Sequence, residues 1–192
     1  MKKMILTLIA TLSMSGIASA QTTISNAKAI ELAAHRIDRL VALNKIDSSF
    51  SKKMDQIDVA VIENQAPVFY KATVSQTKPA QGQPMQVEIS LDKDGKPLAF
   101  QLIPNGVAGP DAGWSAKIAG ELIESTLHYV LEHKNQGKVS LFDQSATNVT
   151  LIKTTLNGQT VARGQVTAST TTEKLNVYLK LDGTFISAEV VP

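Results

Sequence analysis

The chain has 192 residues, no cysteine, 19 lysines and arginines against 17 aspartates and glutamates, and 5% aromatic residues. No disulfide can staple the fold and no lipid can be attached at a cysteine, so stability must come from burial; a chain near this size covers roughly 68–70% of its unfolded surface. The basic residues form no cluster, which leaves neutralisation of a phosphate backbone without a basis and argues against nucleic acid as a partner.

Met1 to Ala20 has two lysines, an apolar run from Met4 to Leu12 and Ala18-Ser19-Ala20 before Gln21, the layout of a cleaved secretory signal peptide. The protein is therefore expected in the periplasm or the medium. Removing Lys2 and Lys3 from the 19 basic residues leaves 17 to set against 17 acidic ones, a net charge near zero. No later run approaches the roughly 20 apolar residues of a membrane-spanning helix.

A first helix is predicted from Ser25 or Asn26, either able to cap free N–H groups, with Ala29, Leu32, Ala33, Ile37, Leu40 and Val41 on one face. Val59 to Asn64, Val68 to Gln76, Met85 to Asp92 and Pro97 to Ile103 then read as antiparallel strands, because Val, Ile and Thr alternate with polar residues across short connections. Asp94-Gly95 marks the last hairpin, since a tight turn needs the positive φ that glycine adopts freely. The segment from Pro104 to Gly113 is rich in glycine and proline and reads as a linker, residues 105–113 lying between two units.

The same order of elements then recurs. A second helix opens after Asp111 and carries Ala119, Leu122, Ile123, Leu127, Val130 and Leu131. Val149 to Leu156, Thr160 to Ala168, Lys174 to Leu181 and Thr184 to Val191 are predicted strands, with hairpin signals at Asn157-Gly158 and Asp182-Gly183. Val87 to Pro104 lies position for position on Leu175 to Pro192, and Ala29 to Val41 on Ala119 to Leu131. The expected fold class is α+β, with two repeats, residues 21–104 and 114–192, each a helix packed on a four-stranded antiparallel sheet. One face of each sheet should be buried and the other wet.

The helix, the aromatic-bearing strand Val68-Phe-Tyr-Lys-Ala-Thr-Val74 and the strand ending Leu-Asp-Lys-Asp-Gly-Lys96 resemble the PepSY domain. The second copy, ending Leu-Lys-Leu-Asp-Gly-Thr184, is similar but has Val161 and Ala162 in place of the aromatic pair. Two such units in tandem also resemble the architecture of the β-lactamase inhibitor protein, whose disulfides are absent here. The resemblance implies an envelope protein that binds or restrains a partner, often a protease, without catalysis of its own.

The residues themselves offer little chemistry. There is no cysteine or Gly-x-Ser-x-Gly elbow, and His35, His128 and His133 all fall in the helices, leaving the loops without a base. Glu121, Glu124, His128 and Glu132 share a face of the second helix but lack the His-Glu-x-x-His pattern, so a solvated face is the expected reading, with no metal, cofactor or catalytic residue. Trp114 reads as a plug at the start of that helix. On the wet face, alternation places Phe69 and Lys71 in the first repeat and Arg163, Tyr178 and Lys180 in the second, a mixture suited to a protein partner. The expectation is thus an exported binding protein that inhibits or regulates an envelope enzyme. The alternative is a carrier of a small apolar ligand held between helix and sheet by Ile37, Leu40, Ile89 and Leu91.

Overall fold

The computed structural model describes residues 23–50, 54–62, 65–76, 84, 86–104 and 118–192. The predicted leader, the predicted linker 105–113 with Trp114, and residues 77–83 and 85 lie outside the described residues. The protein is α+β, with helices α1 (Asn26–Ala42), α2 (Ile118–Glu132) and α3 (Val139–Ser145). The strands are β1 (Met54–Val61), β2 (Tyr70–Gln76), β3 (Gln86–Leu91), β4 (Pro97–Ile103), β5 (Ala146–Leu156), β6 (Gln159–Ala168), β7 (Lys174–Leu179) and β8 (Phe185–Val191).

The eight strands form one antiparallel sheet, in the order β4-β3-β2-β1-β5-β6-β7-β8. Two separate four-stranded sheets were expected; instead β1 and β5 pair, with Gln56, Ile57 and Asp58 opposite Thr150, Val149 and Asn148. Pairing removes two open edges whose N–H and C=O groups would otherwise need water or another strand. β1 also begins earlier than the predicted Val59, because Gln56, Ile57, Asp58 and Val59 continue the alternation upstream behind two acidic residues. The short α3, with β-favouring Val139 and Phe142 among serines, has no helical signal in the sequence.

The core lies between the helices and one sheet face. Val87, Ile89 and Leu91 on β3 and Leu175, Val177 and Leu179 on β7 are buried, as are Ile37, Leu40, Leu122, Leu127 and Val130; Leu32 is half-buried at its edge. α1 packs over β1, β2, β3 and β5, and α2 over β1, β5, β6 and β7. The buried stripe Ala29, Ile30, Ala33, Ala34, Ile37 of α1 is met on α2 by Leu122, Ile123, Thr126, Leu127, Val130. The two stripes therefore coincide three residues further along than the residue match of Ala29 with Ala119. A shift of three is close to one helical turn, so the apolar spacing reads almost the same in either phase.

Two glycines are fixed by the helices above them. A Cβ on Gly164 of β6 would sit 1.9 Å from Thr126 Oγ1, so α2 can approach the sheet there only because β6 has no side chain. Gly95, with φ of +81°, turns the β3–β4 hairpin where a Cβ would lie 2.4 Å from Leu32. The N-terminus of α1 is held by the second half of the chain: the Ser25 hydroxyl donates to buried Asp143 Oδ1 at 2.6 Å, and Asn26 Nδ2 donates to the Ala146 carbonyl at 2.9 Å. Among the described residues no helix is long and apolar enough to cross a membrane.

Candidate functional site

The face of the sheet opposite the helices is built by the alternate residues of each strand. Its centre is the β1–β5 junction. There Asp58 accepts hydrogen bonds from Gln56 Nε2 at 2.9 Å and Asn148 Nδ2 at 2.8 Å, while Thr150 donates to Asn148 Oδ1 at 2.7 Å. Gln165 Nε2 donates to Asn176 Oδ1 at 3.1 Å on the next strands, and Gln86 to the Ser75 hydroxyl at 2.9 Å on the other side. The middle of the face is thus a band of amides and hydroxyls that satisfy one another. Sequence reading missed it because Asp58 precedes the strand predicted from Val59.

The five residues expected to contact a partner fall into two groups. Arg163 and Tyr178 are directly opposite each other on β6 and β7. Lys180, exposed, follows two residues after Tyr178 at the end of β7. Tyr178 donates its hydroxyl to Glu189 Oε1 at 2.7 Å, and that bond to the carboxylate, followed by partial burial, raises the phenol above its ordinary pKa. Arg163 Nε is buried with no hydrogen-bond partner. In the other group Lys71 Nζ lies 3.2 Å from Glu88 Oε1 across β2 and β3. Phe69, which alternation puts on the open face, stands just before β2, half-buried and packed against the core, its ring edge-on to Tyr70 at 4.9 Å.

These groups lie diagonally across the β1–β5 junction, Lys71 and Arg163 on the strands third from either edge of the sheet. Register carries Arg163 through Ile152 to the level of Met54 on β1, whereas Lys71 lies level with Ala60, six residues further along. The two groups are therefore about 20 Å apart along the strands and about 14 Å apart across three strand spacings. Glu88 supplies a carboxylate to Lys71 and Glu189 one to the Tyr178 hydroxyl; alternation marks Glu88 as a residue of the open face, but neither pairing is readable before the register of β2 with β3 and of β7 with β8 is known.

On the helix side the acidic residues of α2 do not converge. Glu124 Oε1 lies 3.4 Å from His35 Nδ1 of α1, and His128 Nε2 lies 2.9 Å from Glu132 Oε1. No group of three His, Asp or Glu among the described residues could hold a metal ion. Burial raises the Glu124 carboxyl above its ordinary value, against the pull of His35 and with the push of Asp38, Glu31 and Glu121; burial likewise raises Asp38. The His133, Tyr129 and Phe185 rings stack in sequence, with centroids 4.2 and 5.0 Å apart, beside a cavity of about 260 Å³ that reaches Ser125 and Leu179. Ile37, Leu40, Ile89 and Leu91, the residues that would line an apolar ligand site, are at most 1% exposed and belong to one packed cluster.

No family model matches the chain, and no curated protein matches it. Among solved structures, a chain described as a lipoprotein from Clostridium difficile 630 is similar over 83% of this chain and 92% of that one, at 9% identity and a TM-score of 0.30, too slight a likeness to carry an argument.

Proposed function

We propose that this is an exported, non-catalytic binding protein that presents its uncovered sheet face to a protein partner in the cell envelope, as an inhibitor or regulator of an envelope enzyme. The observation that carries the reading is one-sided cover. α1 and α2 pack on one face of an eight-stranded sheet, and the other face meets no helix among the described residues. That face offers a tyrosine, an arginine and lysines on either side of the β1–β5 junction, side chains that can bury area or fork hydrogen bonds at a protein interface. Export to the periplasm or medium rests on the leader.

The reading also includes a duplication, with residues 21–104 and 114–192 as tandem PepSY-like units in an architecture similar to the β-lactamase inhibitor protein. The register supports it. Ile57 faces Val149 at the β1–β5 junction, and these two residues are 92 apart, as are Ala72 and Gly164, which stand at matching places in β2 and β6. In this reading the junction is a two-fold contact between like strands, and Lys71 and Arg163, also 92 apart, are equivalent positions. The alternative, a carrier of an apolar ligand between helix and sheet, is less well supported, because the residues that would line the cavity fill that layer against one another.

The experiment is a pull-down from envelope extract with the processed chain as bait, followed by affinity measurement with the isolated partner. Arg163→Ala, Tyr178→Ala together should keep the circular dichroism spectrum and weaken binding by about 2 kcal/mol or more, as truncation at a hot spot does. Full affinity in this double variant would move the contact to the helices or the linker.

A further inference from the structure

We infer that the outer edge of β4 pairs with β4 of a second copy of this chain, in antiparallel register about Phe100. β4 is a terminal strand of the sheet, so one row of its backbone N–H and C=O groups has no strand to pair with among the described residues. Open edges are ordinarily guarded by charge, by proline or by a bulge, and β4 has the last two only at its start, where Pro97 faces Leu91 across a register shift. From Pro97 to Pro104 the sequence Pro-Leu-Ala-Phe-Gln-Leu-Ile-Pro contains no charged residue, whereas the opposite edge, β8, carries Glu189 near its middle.

The side chains point to the occupant. Phe100 and Leu102 stand opposite Ile89 and Val87 on β3, so they lie on the helix face of the sheet, as does Leu98 by alternation. α1 does not cover this row: Leu98 is 40% exposed and Leu102 38%, with Phe100 half-buried between them. A two-fold axis through Phe100, perpendicular to the sheet, keeps both helix layers on the same side. It sets Phe100 beside Phe100 of the second copy, Leu98 beside Leu102, and Ala99 beside Gln101. Each meeting is apolar or neutral, so self-pairing brings no like charges together and joins two partly exposed apolar rows. The chain already contains one junction of this form, the antiparallel β1–β5 pair at the centre of the sheet. The axis leaves Lys71 on β2 and Arg163 on β6 uncovered, so the inference stands apart from the proposed partner site.

Sedimentation velocity of the processed chain over a wide concentration range tests this. The wild type should pass from monomer to dimer as concentration rises. Leu102→Lys and Gln101→Lys, which put a lysine on either face of the edge, should each weaken association about tenfold or more, with unchanged circular dichroism. Ser187→Lys on β8 should dimerise as the wild type does. A wild type that stays monomeric throughout overturns the inference. So does association that survives Gln101→Lys, the variant least able to disturb folding, or association lost in Ser187→Lys, which would assign the contact to β8.

Discussion

Gly164 and Thr126 show how single residues set the distance between layers. With the Thr126 hydroxyl donating to the Leu122 carbonyl at 2.8 Å, the side chain points down at β6, and a methyl at Gly164 has nowhere to go. Gly164→Ala should destabilise the protein by about 1–3 kcal/mol, the usual cost of overpacking. Thr126→Ala in the same chain should recover part of that loss, and chemical denaturation of the two single variants and the double variant measures the coupling. Asp143 is a second such residue. It is 2% exposed and its carboxylate accepts from Ser25 and Gln144, so Asp143→Ala removes the acceptor for the hydroxyl that caps α1 and should cost about 1–3 kcal/mol. An unaltered denaturation midpoint would show that water replaces the carboxylate at no cost. Neither residue was marked in the sequence, because a glycine inside a strand and an aspartate in a short helix acquire meaning only from the element that packs against them.

At the level of elements, the two long helices are each held by an apolar stripe and meet along a polar seam. Leu40→Ala or Val130→Ala should destabilise by about 1–5 kcal/mol, as buried large-to-small changes do. An unchanged melting temperature for either would contradict its burial. The seam adds a pH dependence. Glu124 and Asp38 have carboxyls raised by burial, so the folded state holds their protons more tightly than the unfolded one. Stability from such groups is fully present below their unfolded values and is lost as pH rises through the raised folded ones. The contribution of these two groups to the melting temperature should therefore fall as pH climbs from the carboxylate range toward neutrality, against the opposite contribution of Asp182, whose carboxyl is lowered by hydrogen bonds from Thr184. Glu124→Gln should flatten that slope, by no more than a few degrees for a group near the surface. The helical stripes were legible in the sequence because burial repeats with the helical period. The meeting of Glu124 with His35 was not, since it depends on how α1 and α2 lie side by side on one sheet.

For the molecule as a whole, the joining of β1 to β5 decides whether there are two folding units or one. The strand pairs, the Asp-Gly turns and the alternation that placed Arg163, Tyr178 and Lys71 on the open face are all local patterns, and the sequence showed them. Which edges pair is not local, and neither is the distance between the two groups. It was the β1–β5 register that put Lys71 and Arg163 about 25 Å apart by the strand spacings, and a partner touching both must span the polar band around Asp58. The same junction ties the halves together energetically. Ile57 and Val149 are buried opposite each other, α1 reaches across onto β5, and Ser25 and Asn26 bond to Asp143 and Ala146. Unfolding either half would therefore expose apolar surface of the other and break its caps. A single thermal transition is expected, with calorimetric and van't Hoff enthalpies equal. Leu40→Ala in the first half and Val130→Ala in the second should each lower that one transition without splitting it. If calorimetry resolves two transitions, and Leu40→Ala moves only one of them, the halves fold independently and the junction is a contact between finished units.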